Sequence, residues 1–267
     1  MALVTGAGRG LGRAFARALA ARGAAVALTA RTAAQLEETA APIRAAGGRA
    51  LVGVADAADP AALADLAART AAELGPVDLL VNNAALATPL GPVSEVDPAE
   101  WWRCLEVNLR APLILAHAVL PAMIARRRGR IVNVASMVAT TAVANLSAYA
   151  VSKAALLRLT ETLAAENRPH GIKVFAMEPG TVRTAMSEEV LTSEAGRKWL
   201  PWFRRLFDQG QDVPAERAAE LLVQVAAGRA DPLTGRLLVL TDGVDRVLAN
   251  AEAVMRQDLY TLRLKRL

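Results

Sequence analysis

Eleven residues, "ALVTGAGRGLG" (Ala2 to Gly12), constrain this chain more than any other stretch. A short apolar run without polar alternation leads into glycines at Gly6, Gly8, Gly10 and Gly12, and then into a helical pattern. A strand that is apolar at every position is one buried on both faces. A glycine turn entering a helix N-terminus lets backbone N–H groups approach an anion closely. The unit then repeats. "AAVALTA" precedes a helical pattern over residues 32–46, "ALVGVA" one over 60–74, and "VDLLVNNA" a loop and a long helix over about 98–125. "RIVNVAS" precedes a helix over 147–167, and "GIKVFAMEPG" follows. Repeated strand–helix–strand crossovers predict an α/β fold with a doubly wound parallel sheet, Rossmann-like, in a single domain over 1–267. Ligands of such sheets lie at the carboxyl ends of the strands, so the strand-ending residues are the candidates for function.

After Gly180 the regularity breaks. Residues 183–214 contain no strand pattern, a helix is expected over 215–227, and the apolar "GRLLVL" follows. A charged, amphipathic tail over 244–267 closes the chain, with Val247, Leu248, Ala251, Val254 and Met255 at helical spacing before "LYTLRL".

Composition bounds the setting. Apolar residues make up 54% of the 267, and the mean hydropathy is +0.27, ample for a core. One cysteine, Cys104, excludes an intramolecular disulfide and any cysteine cluster for a metal, so a reducing cytoplasmic setting is expected. The start shows no basic leader or cleavage site, and no apolar stretch of membrane-spanning length lacks a charge. The net charge of +5 and pI near 10.0 raise the question of nucleic acid. The charges are scattered, however, and the one dense run, "ARRRGR" (Ala125 to Arg130), has no interleaved aromatics and closes a helix, where cations suit the macrodipole. Nucleic acid is not expected, whereas an acidic protein docking on that run stays open.

The strand ends point to a dinucleotide. Gly6, Arg9, Gly10, Leu11 and Gly12 form the turn that would meet a pyrophosphate. At the end of the second strand a carboxylate would bind a ribose 2′-hydroxyl, but the chain has Ala30 followed by Arg31, and Arg9 can add a second guanidinium. Arginines at this place suit a 2′-phosphate, so NADP(H) is preferred over NAD(H). Asp56 after the third strand can accept from an adenine amino group. Asn83 and Ala84 after the fourth combine amides able to brace neighbouring strands with a small residue where backbone must approach the ligand.

Tyr149 and Lys153 stand at i and i+4, so their side chains can meet on one helix face. An ammonium near a phenol favours the phenolate and lowers its pKa, making the tyrosine an acid–base group for a carbonyl or alcohol. Ser136, thirteen residues upstream at the end of the fifth strand, can reach the same oxygen.

"TGAGRGLG", "NNAA", "VNVAS", "YAVSK" and "EPGTVRT", in that order and spacing, resemble the short-chain dehydrogenase/reductase family of the NADP-preferring, classical type, across roughly residues 2–243. The resemblance implies that Tyr149 is the general acid/base, Ser136 orients the carbonyl, and Lys153 tunes Tyr149 and holds the nicotinamide ribose. It implies that Asn108 of "EVNLRAP" completes a proton relay through its backbone carbonyl, and that Pro179, Gly180, Val182 and Thr184 line the nicotinamide. The N–H that would occupy the Asn108 carbonyl in a regular helix belongs to residue 112, which is Pro112 and has none. A homotetramer or dimer is the family expectation.

Two positions depart from the pattern. Ala85 replaces the usual glycine after "NNA", and Glu178 precedes "PG" where a small or amide residue is more common. Glu178 can sit near the substrate or pair with Arg183.

Residues 183–214 correspond to the family's substrate lid. Within them, "GRKWLPWFRRLF" concentrates Trp199, Trp202, Phe203 and Phe207. These rings can wall a pocket for a hydrophobic ketone, anchor the lid to its core or a neighbouring subunit, or touch a membrane surface. Met137, Val138, Val143, Asn145 and Met186 are further pocket candidates, and the tail can shape the pocket of a partner subunit. The expected activity is NADPH-dependent hydride transfer between nicotinamide and a carbonyl or secondary alcohol. Two alternatives stand beside it: a 3-oxoacyl-thioester reductase acting on an acidic acyl carrier protein, and a non-catalytic NADP(H) sensor or scaffold.

Overall fold

The computed structural model describes residues 1–264, so Lys265, Arg266 and Leu267 of the expected tail lie outside it. Strand and helix alternate from the start: β1 (Ala2–Thr5), α1 (Gly10–Ala21), β2 (Val26–Ala30), α2 (Ala33–Ala45), β3 (Ala50–Val54), α3 (Pro60–Leu74) and β4 (Leu79–Asn82). Next come α4 (Pro98–Leu105), α5 (Ala111–Ala125), β5 (Arg130–Val134), α6 (Ser147–Asn167) and β6 (Lys173–Glu178). The chain ends with α7 (Ala185–Thr192), α8 (Glu194–Trp199), α9 (Pro201–Asp208), α10 (Ala215–Ala226), β7 (Leu237–Val239), α11 (Val244–Ala249) and α12 (Ala251–Arg256). All seven strands are parallel in the order β3-β2-β1-β4-β5-β6-β7, the doubly wound topology read from the sequence.

Consecutive strand residues face opposite sides. Val4, Val81, Val132 and Phe175 pack against α1, α2 and α10 through Phe15, Leu36 and Leu222. Their neighbours Leu3, Leu80, Ile131 and Val174 pack against α3, α5 and α6 through Leu66, Leu115 and Leu163. Because both faces are covered, polar alternation is absent from the strands. Each fully buried leucine of this kind contributes about 1.5–3 kcal/mol.

Two helices start where the sequence supplies both a cap and a proline. Asp59 accepts from the amides of Ala61 and Ala62 ahead of Pro60, and Asp97 accepts from Ala99 ahead of Pro98. The long helix over 98–125 is apolar enough, by length and composition, to cross a membrane. Here it lies against the sheet and α3, with Leu115, Ala116 and Met123 in the core.

The basic run is paired within the chain, with Arg127 and Arg128 still exposed. Arg126 and Arg128 reach Asp78 at 2.7 and 2.8 Å, Arg130 reaches Asp231 at 2.7 Å, and Arg127 donates to the Pro169 carbonyl. These partners sit beside the amino ends of β4, β5 and β6, opposite the strand ends where a ligand would lie.

The tail differs from the expected single helix. It breaks at Asn250 into α11 and α12 and then lies along the sheet edge of its own chain. The Leu237 amide of β7 donates to the Tyr260 carbonyl at 2.9 Å, and the Tyr260 hydroxyl donates to Asp242 at 2.8 Å. Arg158 donates to the Leu262 carbonyl, Leu262 donates to Glu161, and Arg263 bridges Glu161 and Asp258. Tyr260 and Leu262 thereby cover Leu157, Ala176 and Leu237.

Candidate active site

A cavity of about 690 Å³ opens at the carboxyl ends of the strands, as the topology requires. It runs from the glycine turn, past Ala84 and Ala85, to Tyr149 and Lys153, and ends under α7 and α9.

At the first end, Gly6 and Gly10 have φ of +63° and +53°, conformations that disfavour any side chain. A Cβ on Gly6 would also lie 2.9 Å from Asn83 Nδ2, so bare backbone is required there. No side chain caps the first turn of α1, which leaves its amides free for an anion. Arg9 and Arg31 stand exposed on the rim, neither with an acidic partner among the described residues. The Thr29 hydroxyl, buried in the wall, has no hydrogen-bond partner among the described residues. Asp56 lines the cavity with Arg103 at 3.4 Å. An open glycine cradle, unpaired arginines and an unsatisfied wall hydroxyl fit a phosphorylated dinucleotide.

Gly12 corrects the sequence reading. It does not line the cavity, and a Cβ there would stand 2.2 Å from the Gly6 carbonyl. Its role is to let α1 dock on the turn. Leu11, Asn83, Ala84, Pro179, Gly180, Val182 and Thr184 do line the cavity. Asn83 also braces β1, with its amide N–H bonding Thr5 Oγ1 and Nδ2 donating to the Thr5 carbonyl. Asn82 donates to Asn133, which donates to Thr160 of α6, tying β4, β5 and α6 into one buried network. The sequence missed Thr32, Gln35 and Arg103 as wall residues at this end. All three sit in helices or loops whose inward turn is visible only in three dimensions.

At the second end, Tyr149 is half-buried on α6 and Lys153 lies one turn below, its Nζ 5.6 Å from the phenol ring centre. Nζ donates to the Val134 carbonyl at 2.7 Å, which fixes it beneath the pocket. The Tyr149 phenol, expected to be lowered by Lys153, is raised on balance by its burial. Burial pushes the phenol up to about 12, against a lowering hydrogen bond from Ser136, and pushes Lys153 down to about 8. Loss of water is the largest cause of both shifts. Ser136 ends the segment after β5 and caps the short turn Met137–Ala139 through Val138.

Asn108 is buried outside the cavity wall, and its side chain acts as a clamp. Oδ1 accepts from the Leu86 amide, and Nδ2 donates to the Leu86 carbonyl and to Ser152, all within 2.9 Å. It sits in a widened π-turn, Glu106–Arg110, where the Ala111 amide reaches back five residues to Glu106. The break in the helical ladder therefore begins before Pro112, the residue from which the sequence located it. With the side chain fully engaged, only the backbone of Asn108 remains for other work.

Of the nine pocket candidates, Met137, Val138, Val143, Glu178, Met186, Trp202 and Phe203 line the cavity, while Asn145 and Trp199 do not. Asn145, at φ +65°, offers its carbonyl to the Gly91 amide. Trp199 stacks under Lys198 and packs beside Gly91. Both hold the loop after β4. Phe207 is buried beneath the Arg183 guanidinium. The aromatic run thus divides, with Trp202 and Phe203 on the pocket and Trp199 and Phe207 as anchors. Leu200 and Leu206, unnoticed in the sequence, join the wall.

A doubly wound sheet whose glycine-lined cavity continues to a half-buried tyrosine above a buried lysine defines a dinucleotide-dependent oxidoreductase. The family model described as short chain dehydrogenase matches residues 1–195, and the chain belongs to the short-chain dehydrogenase/reductase family. Relatives include the cis-4-hydroxycyclohexanecarboxylate dehydrogenase of Sinomonas cyclohexanicum, 35% identical over 92% of this chain and 97% of its own. The 3-oxoacyl-[acyl-carrier-protein] reductase of Escherichia coli is 38% identical over 70% of this chain and 75% of its own. The solved structure of a gluconate 5-dehydrogenase from Burkholderia cenocepacia, in complex with NADP and tartrate, matches at TM-score 0.79 and 29% identity, covering 93% of this chain and 94% of that one. The protein is an enzyme that acts on alcohol or carbonyl groups.

Proposed function

We propose that the enzyme interconverts a hydrophobic ketone and its secondary alcohol, using NADP(H) in preference to NAD(H). The observation that carries this reading is the single cavity joining Arg9, Arg31 and the glycine turn to Tyr149 and an apolar wall. The cofactor, when bound, supplies or receives the hydride. Ser136 orients the carbonyl oxygen, and Tyr149 donates the proton to it in reduction or removes it in oxidation. Lys153 holds the ribose and hands on the proton, and the Asn108 backbone carbonyl connects that path to solvent. Gly6, Gly10 and Leu11 receive the pyrophosphate, Asp56 the adenine, and Arg9 and Arg31 the 2′-phosphate. Residues 183–214 serve as the lid over the substrate. The NADP complex of the gluconate dehydrogenase supports the cofactor preference. Exposed Trp102, Leu113 and Val151 on the outer helices suit a homo-oligomer.

The test is to add NADPH and a panel of neutral cyclic and aryl ketones, and to follow cofactor absorbance. No oxidation with any member would sink this reading. The pH profile gives a second check. Because Lys153 titrates near 8 and Tyr149 near 12, kcat/KM for reduction should fall about tenfold per pH unit above about 8, as the ammonium is lost. A profile flat to the ordinary lysine value of 10.5 would show that Lys153 does not carry the proton.

A second reading, reduction of a carrier-bound 3-oxoacyl thioester, is favoured by the likeness to the Escherichia coli reductase. The arginines that suggested an acidic carrier are instead engaged with Asp78, Asp231 and Pro169, at the far end of the sheet. Equal rates on carrier-bound and free thioesters, insensitive to salt, would remove the carrier from this reading.

A further inference from the structure

Among the described residues, Glu178 has no cation paired with it. It ends β6, is 8% exposed and lines the cavity. Its Oε1 accepts from the Gly180 amide at 2.9 Å, and the Leu240 backbone provides a second hydrogen bond. Arg183, its one candidate partner, is turned elsewhere: it pairs with Glu188 at 2.7 Å and Asp212 at 3.8 Å and covers Phe207. Burial raises the Glu178 carboxyl, with Asp242 adding to the rise, and its charge is felt at the Tyr149 phenol. A buried carboxylate held by backbone amides alone is unfavourable, and an amide side chain would satisfy the same N–H groups.

Among the described residues, the rest of the reaction chamber offers an anion the hydroxyls of Ser136, Thr141 and Tyr149 but no unengaged cation. Val138, Val143, Leu146, Met186, Trp202 and Phe203 are apolar. Lys153 donates to the Val134 carbonyl and, in the function proposed above, turns its remaining donors to the cofactor ribose. The other cations of the cavity wall, Arg9, Arg31 and Arg103, belong to the glycine-turn and Asp56 end. A carboxylate entering beside Tyr149 would shed its water, find no free cation and face a like charge.

We propose that Glu178 makes the reaction chamber selective by charge, admitting neutral hydrophobic ketones or alcohols and rejecting those that carry a carboxylate. This rests on the ketone-reducing function proposed above. Rejection here comes from an added repulsive element as well as from a missing attractive one.

The experiment compares 4-oxocyclohexanecarboxylate with its methyl ester as substrates for the NADPH-loaded enzyme near neutral pH. The ester should be preferred by about thirtyfold or more in kcat/KM, and Glu178→Gln should reduce that preference by roughly tenfold, as expected for removing one like charge several ångströms away. Glu178→Asp, which keeps the charge, should keep most of the preference. Equal use of acid and ester by the wild type, or an unchanged ratio in a folded Glu178→Gln, overturns the proposal. Calorimetric binding of cyclohexanecarboxylate and cyclohexanecarboxamide to the wild-type NADPH complex gives a readout that needs neither turnover nor the variant. Tighter binding of the amide supports charge selection, and equal binding overturns it. If no ketone is turned over, the function reading fails while this binding comparison still decides the selectivity.

Discussion

Tyr149→Phe should lower kcat for ketone reduction by ~10²–10⁴-fold, the range for removing a positioned acid–base group. The ring remains, so the packing with Val138, Leu146 and Trp202 is retained and the fold should survive. Only the hydroxyl that shares a hydrogen bond with Ser136 disappears. An interaction made chiefly in the transition state affects kcat and kcat/KM together, so KM should change little. Steady-state kinetics on one accepted ketone, with a melting curve to confirm folding, measures this. Retention of more than about a tenth of the wild-type kcat would mean that another group donates the proton.

Arg31→Ala should weaken NADPH binding by roughly tenfold and leave NADH binding nearly unchanged, since the contact proposed for it is to the 2′-phosphate alone. The estimate is kept at the low end because Arg31 is exposed and its charge is screened by salt. Combining Arg31→Ala with Ala30→Asp places a carboxylate at the end of β2, where it can bond a 2′-hydroxyl and repel a phosphate. The preference should then invert toward NADH. Titration of nicotinamide fluorescence at two salt concentrations reads both affinities. A parallel loss for the two cofactors would show that Arg31 supports the site without discriminating between them.

Most of the framework was legible because it rests on local pattern. The strands are apolar at every position for the simple reason that helices cover both faces, and α6 begins and ends where its pattern does, at Ser147 and Asn167. The positions of Ser136, Tyr149 and Lys153 followed from strand ends and helical spacing. What escaped the sequence depends on contacts distant along the chain. Gly12 and Gly10 look alike in the motif, yet one faces the Gly6 carbonyl and the other the Thr184 side chain across the cavity. Trp199 and Trp202 are three residues apart, but a break at Leu200 between α8 and α9 sends them to different neighbours. The direction of the Tyr149 shift required knowing how much water its surroundings exclude, a property of the packed chamber and not of the Tyr–Lys spacing. The Asn108 clamp on Leu86 could have been suspected from an amide in an otherwise apolar helix, although its partner lies 22 residues away.

The tail that follows β7 has a consequence for colloidal behaviour. β7 is the last strand of the sheet, and an open edge strand is a template on which strands of other molecules can add. Here the Leu237 amide is already paired with Tyr260, and Leu262 is pinned across the apolar Leu157 by Arg158 and Glu161. The protein thus carries its own edge protector, fastened by ion pairs at Asp258 and Glu161. Cutting the chain at Asp258 would strip the seal and turn a covered margin of the sheet into a surface for intermolecular strand growth.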